Sequence, residues 1–214
     1  AFPRGTRGTR ARRHARAMNR RLPTVTPRAA ALLLGAALVL WTAALVAVQL
    51  GWHASLRTGG RDLGLFDHPL SNTLRGAFLA SSLLPETARN YFGFHFCPVI
   101  LLFLPFYALH DGPEVLLVGQ VVALAAAAIP LFLIARRLTN PPHALLIALI
   151  YLCYRPVTRA AACGFHQECL FPLFLLAAAY AYLVAGSRPW AWVALALGLA
   201  TKEDVSIYLL PAAA

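Results

Sequence analysis

Between Arg28 and His53 the chain carries no charged residue. A helix needs about 20 apolar residues to cross a bilayer, and this run supplies them. In lipid the backbone's own polar groups must be satisfied internally, so a run like this is expected to fold as a helix. Further apolar runs follow, parted by short polar clusters: Arg61-Asp62-Leu63-Gly64-Leu65-Phe66-Asp67, His110-Asp111-Gly112-Pro113-Glu114, Gly164-Phe165-His166-Gln167-Glu168 and Lys202-Glu203-Asp204. With Glu86, these clusters hold all 8 carboxylates.

Composition agrees with a membrane protein. Of 214 residues 59% are hydrophobic and 13% charged, against about 45–50% and 25% in soluble domains. The formal net charge is +11, but its distribution argues against nucleic-acid binding. Arginine crowds residues 1–28, where no acid occurs and no aromatic residues interleave for base stacking. That stretch reads as a basic cytoplasmic tail ahead of a span. Met18 is the sole methionine and a plausible start. The run from Val205 stops short of a full span at Ala214, so the sequence reads as the N-terminal part of a longer protein.

The fold expected is all-α, a polytopic transmembrane helical bundle with a cytoplasmic N-terminus. The first span covers about 29–52 and carries residue 53 to the outer side. An outer loop follows over 53–113. Within it, 97–109 is apolar but short and contains Pro98 and Pro105, which suits an interfacial or re-entrant segment. If 97–109 crossed, Arg136 and Arg137 would lie outside; the positive-inside rule favours the alternative. Alternation then gives spans at about 114–135, 143–160, 169–186 and 190–200, and a truncated one from 205. Every polar cluster falls on the outer side. Converging carboxylates and histidines at such a boundary are what a membrane-embedded active site or ion path requires.

Asp62 is the foremost candidate, in a glycine-bearing loop that allows close backbone approach to a ligand. It could act as a general base, bind a metal, or simply pair with Arg61. His95 sits among aromatic residues; partial desolvation suits it to proton transfer or phosphate contact, though an interfacial histidine bound to backbone explains it as well. His166 and Glu168 are two apart and so do not share a helix face, which implies a loop or helix start. Lys202, Glu203 and Asp204 interrupt an apolar stretch, which is costly unless they line a cavity or pair. Lys202 could hold a phosphate, with Glu203 or Asp204 neutralising it in the empty state. Cys163, His166 and Cys169 form C-x2-H-x2-C, but packing cysteines are favoured over a metal site.

The order of motifs resembles an uncharacterised bacterial family of multi-pass membrane proteins, domain of unknown function 2079. The resemblance rests on Asp62-Leu63-Gly64-Leu65-Phe66, Asn90 through Pro98, Ala135-Arg136-Arg137-Leu138, Phe165-His166-Gln167-Glu168 and Lys202-Glu203-Asp204-Val205. It covers about residues 50–210. In layout that family is similar to the GT-C glycosyltransferases, which use polyprenyl-phosphate sugars. The resemblance implies a GT-C-like bundle in the bacterial plasma membrane, Asp62 as catalytic acid–base, and 97–109 as the short helix after it. Arg61, His95, His166, Glu168, Lys202, Glu203 and Asp204 become candidate substrate contacts. The partners implied are a lipid-linked sugar donor, an acceptor and membrane lipids. No cofactor is assigned; a divalent ion is allowed but not required. The chain departs from the pattern at Gly164, where an aspartate is expected, and at Cys97, where a serine is expected.

Two other readings compete. An ion-coupled carrier would place its polar groups near the bilayer midplane on broken helices. A non-catalytic membrane scaffold would explain the spans but gives no reason for Lys202-Glu203-Asp204.

Overall fold

The computed structural model describes residues 25–88 and 90–207, and among them it contains helices and no strand. The N-terminal tail through residue 24, where Met18 lies, and the end of the chain from 208 fall outside the described residues.

Helix α1 spans Pro27–Ala54. Thr26 caps it by accepting the Ala29 amide at 3.2 Å, and Pro27 occupies the first turn, where its missing donor costs nothing. At 28 residues it is about 42 Å long, more than a hydrocarbon core of ~30 Å requires. A second helical stretch, Glu114–Leu138, is also long and apolar enough to cross. It comprises α4, Glu114–Ala126, and α5, Ala128–Leu138. The junction has a local cause: Pro130 lacks a donor for the Ala126 carbonyl, and its ring crowds that group.

Between these stretches lies the segment expected as a loop over 53–113, and it is partly helical. Helix α2, Gly60–Leu74, buries Leu63, Phe66 and Leu70, at the three- and four-residue spacings of a single helix face. Turns lead to short 3-10 helices at Tyr91–Gly93 and Pro98–Phe103, the second running into α3, Leu104–Tyr107. Pro98–Tyr107 is short and apolar, and the Val99 amide donates to the Ala200 carbonyl at 3.1 Å. That bond ties the segment to a distant part of the chain.

Helix α6, Pro141–Cys153, is capped by Asn140, whose side chain accepts the His143 amide. Helix α7, Arg155–Ala162, leaves α6 at a 48° bend, because Pro156 cannot continue the bonding ladder. Arg155 and Arg159 therefore lie exposed beyond the bend, not inside one straight span over 143–160. The 3-10 helix Gln167–Leu170 runs into α8, Phe171–Leu183. Gly186, at φ +65°, turns the chain into α9, Arg188–Leu199, which packs on α8. These last two helices occupy the segments expected as spans at 169–186 and 190–200, and each is shorter than a straight crossing.

The apolar packing has two ends. One cluster joins α2, the 91–107 segment, the start of α4 and Phe165 around Leu70, Tyr91, Ile100 and Leu116. The other joins the start of α1 to α5 and α6 through Ala30, Phe132, Ala144 and Ala148. Small residues there let helix backbones approach closely. The first cluster lies beneath the polar groups; the second lies at the end bearing Arg136 and Arg137.

Close approach also governs α4. A Cβ added at Gly119 would run into the Phe103 ring. Gly119→Val should therefore push Phe103 off α4 and lower stability by about 1–3 kcal/mol. Thermal unfolding in detergent measures this; an unchanged midpoint would mean that Phe103 does not pack there.

Candidate active site

Five of the candidate residues, scattered between positions 62 and 202, line one cavity of about 300 Å³: Asp62, His95, His166, Glu168 and Lys202. Phe66, Tyr91 and Phe165 supply its aromatic wall. Asp62 does not sit in a glycine loop as expected. It lies in the first turn of α2, since the helix begins at Gly60. A carboxylate is electrostatically favoured at that end, where the free amides carry partial positive charge. Arg61 is exposed and is not part of the lining.

His166 is placed by its backbone. Gly164 takes φ +83°, a conformation that glycine adopts without strain. Gln120, fully buried in α4, then holds the loop. Its amide nitrogen donates to the carbonyls of Ala160 and Gly164, and its oxygen accepts the His166 amide at 2.6 Å. Phe165 is locked edge-on against Phe66 and Phe103, with centroids 4.9 and 5.5 Å away. His166 thus precedes the 3-10 helix that carries Glu168.

Lys202 joins this loop to the end of α9. Its ammonium donates to Glu168 Oε1 at 2.7 Å and lies 3.6 Å from Asp204 Oδ2. The Glu168 hydrogen bond raises the lysine's pKa against the opposing effect of desolvation, and the charge of Asp204 adds to the rise. The other oxygens, Glu168 Oε2 and Asp204 Oδ1, are buried and have no hydrogen-bond partner among the described residues. The buried Tyr91 hydroxyl is in the same condition.

Glu203 points to the other side of the cluster, with Oε1 2.8 Å from His95 Nδ1. Burial pushes its carboxyl up, but the His95 hydrogen bond and its own backbone amide outweigh that and hold it below the ordinary glutamate range. Glu203 and Asp204 are thus neighbours of the cavity, positioning His95 and Lys202 respectively. Cys97 is fully buried, and burial pushes its thiol up to about 12, so it packs as an apolar residue. Among the described residues no group of three or more His, Cys, Asp or Glu side chains is arranged to hold a metal ion.

Sequence reasoning passed over Gln120, Tyr91 and Phe165. Gln120 did carry a signal: a lone amide within an apolar helix must find partners or bear a cost of about 1–3 kcal/mol per unsatisfied group. Gln120→Met should leave two carbonyls and one amide unpaired and destabilise the protein by on the order of 3 kcal/mol, with faster amide exchange across 160–168. Unchanged exchange there would refute the clamp. The Glu203–His95 tie should respond to acid. Because the folded carboxyl titrates below its unfolded value, the tie's contribution is complete above the ordinary glutamate range, about 4.3, and fades as pH falls through the lowered value. Glu203→Gln should remove that dependence, as read by proton exchange at the His95 ring.

A comparison with curated proteins and with solved structures finds no significant match. The family described as "Predicted membrane protein (DUF2079)" matches residues 52–212. That match takes in α2, the polar cavity and every helix after it, and on it the chain belongs to this family of membrane proteins.

Proposed function

We propose that this protein is a GT-C-like glycosyltransferase that moves a sugar from a polyprenyl-phosphate donor to an acceptor at the outer face of the bacterial plasma membrane. The observation that carries the reading is the convergence of Asp62, His95, His166, Glu168 and Lys202 on one cavity. The partnerless oxygens of Tyr91, Glu168 and Asp204 suit a ligand rich in hydroxyls, since buried polar groups need hydrogen bonds. Charge supports the outer face: Arg136 and Arg137 end the second long stretch, away from the cavity, as the positive-inside rule expects of cytoplasmic arginines.

In this reading Asp62 takes the proton from an acceptor hydroxyl. The oxygen attacks the anomeric carbon and forms the new glycosidic bond with inversion. The bond from that carbon to the phosphate oxygen breaks, and its electron pair leaves with the lipid phosphate or pyrophosphate. The charge that develops there needs a cation. Lys202 begins paired to Glu168 at 2.7 Å, so it must exchange that carboxylate for the phosphate. Glu168, once released, accepts from sugar hydroxyls.

Membranes containing the full-length protein and radiolabelled polyprenyl-phosphate sugars test this. Wild type should transfer label out of the lipid fraction. Asp62→Asn should lower the rate by about 10²–10⁴-fold while folding normally. Equal rates would remove Asp62 from the chemistry. No transfer by wild type with any donor would overturn the reading and favour an ion-coupled carrier, for which proton flux is the next measurement.

A further inference from the structure

Helix α2 has a second polar face. Asp67 lies five residues after Asp62 and about 140° further round the helix. It lines a separate cavity of about 300 Å³. The walls come from the end of α1, the link after it, α2 and the residue before α4, through His53, Thr58, Gly60 and Pro113. Asp67 Oδ1 accepts from the Tyr107 hydroxyl at 2.8 Å; Oδ2 has no hydrogen-bond partner among the described residues. Burial raises the Asp67 carboxyl above its usual range, the Tyr107 bond works against this, and Asp111 and Glu114 reinforce the rise.

The charges around this cavity are mostly negative. Arg75 is engaged by Asp111 at 2.7 Å. Glu114 lies 3.8 Å from His53 and 3.2 Å from His110. Arg57 is exposed on the link, between two residues of the cavity wall, Leu56 and Thr58. A carboxylate inside and an arginine at the rim complement a headgroup carrying both an amine and a phosphate.

An apolar trench lies beside this cavity: Glu114 of the trench approaches His53 of the cavity wall to 3.8 Å. A space of about 440 Å³ starts at His110 and Glu114 and follows α4 past Val118 to Val122. Another, of about 470 Å³, continues from Val122 to Ile129 against α1. From Glu114 to Ile129 the helix rises about 22 Å, more than one leaflet of a ~30 Å hydrocarbon core. A polar head pocket joined to a trench of that length has the shape of an amphiphile.

We propose that this composite site binds one phospholipid with a primary amine headgroup, its amine on Asp67, its phosphate at Arg57 and one acyl chain along α4. The site lies on the opposite face of α2 from the Asp62 cavity and stands apart from the glycosyl-transfer reading. The test is native mass spectrometry of the full-length protein purified from bilayers holding equal parts phosphatidylethanolamine, phosphatidylcholine and phosphatidylglycerol. Wild type should retain one phosphatidylethanolamine about tenfold over the other two, a difference of about 1.4 kcal/mol. Asp67→Asn should abolish that preference. Val118→Trp, which fills the trench away from the Asp67 hydrogen bond, should lower retention of every lipid. Equal retention of the three lipids by wild type means annular lipid only and overturns the proposal. So does phosphatidylethanolamine retention that is undiminished in Val118→Trp, a readout that remains decisive if Asp67→Asn does not fold.

Discussion

The Gln120 amide sets the geometry on which the polar cavity depends. It lies on the helical stretch Glu114–Leu138, one of the two long enough to cross a membrane. An unpaired amide in such surroundings is expensive, and no polar side chain of its own helix is placed to satisfy it. The three backbone groups that do satisfy it all belong to residues 160–166. The need to satisfy one side chain therefore draws the loop carrying Phe165 and His166 onto α4. Phe165 in turn bears on Phe66 of α2, the helix whose first turn holds Asp62. Packing thus links the long helix to the acid most suited to act as base.

Charge adds a second constraint. Three acids and one lysine at a lipid boundary would be costly if each stood alone. They are grouped so that charges offset one another: Lys202 between Glu168 and Asp204, and Glu203 against His95. These contacts cross from the end of α9 to two otherwise unrelated segments, and the Val99–Ala200 backbone bond runs beside them. Lys202 is thereby held between two acids, and in the glycosyl-transfer reading proposed above it is this pairing that a phosphate would have to displace.

Much of this was legible in the sequence because charge is so sparse. Between long apolar runs the short charged clusters mark helix ends, and that places His166 and Lys202 beside such ends. The two prolines of 97–109 marked a short helical segment, and the structure has one at Pro98–Tyr107. What escaped has equally specific causes. Gly59-Gly60 suggested a loop around Asp62, yet Leu63, Phe66 and Leu70 already carry helical spacing, and burial of that face prevails over glycine's weak propensity. Pro156 signalled the bend at Tyr154, and Arg155 and Arg159 signalled that the chain beyond it does not continue straight through lipid. The Tyr107–Asp67 and Gln120 contacts join residues 40 or more positions apart, and no local pattern records such pairings.

The distribution of helix breaks bears on whether the molecule moves a substrate across the membrane or works at its surface. A carrier unwinds helices near the midplane and lines the gap with charged or polar groups. The long stretch Glu114–Leu138 is interrupted near its centre, at Ala127, but the residues there are alanines: Ala125, Ala127 and Ala128 are buried to within 4% of full burial. That break is closely packed by small apolar side chains. The titratable groups gather instead beyond helix ends, around the first turns of α2 and α4 and the last residues after α9. A helix interrupted by proline and filled with alanine favours close packing of neighbours, and the polar cavity is built elsewhere, from the first turn of α2, the His166 loop and Lys202 after α9.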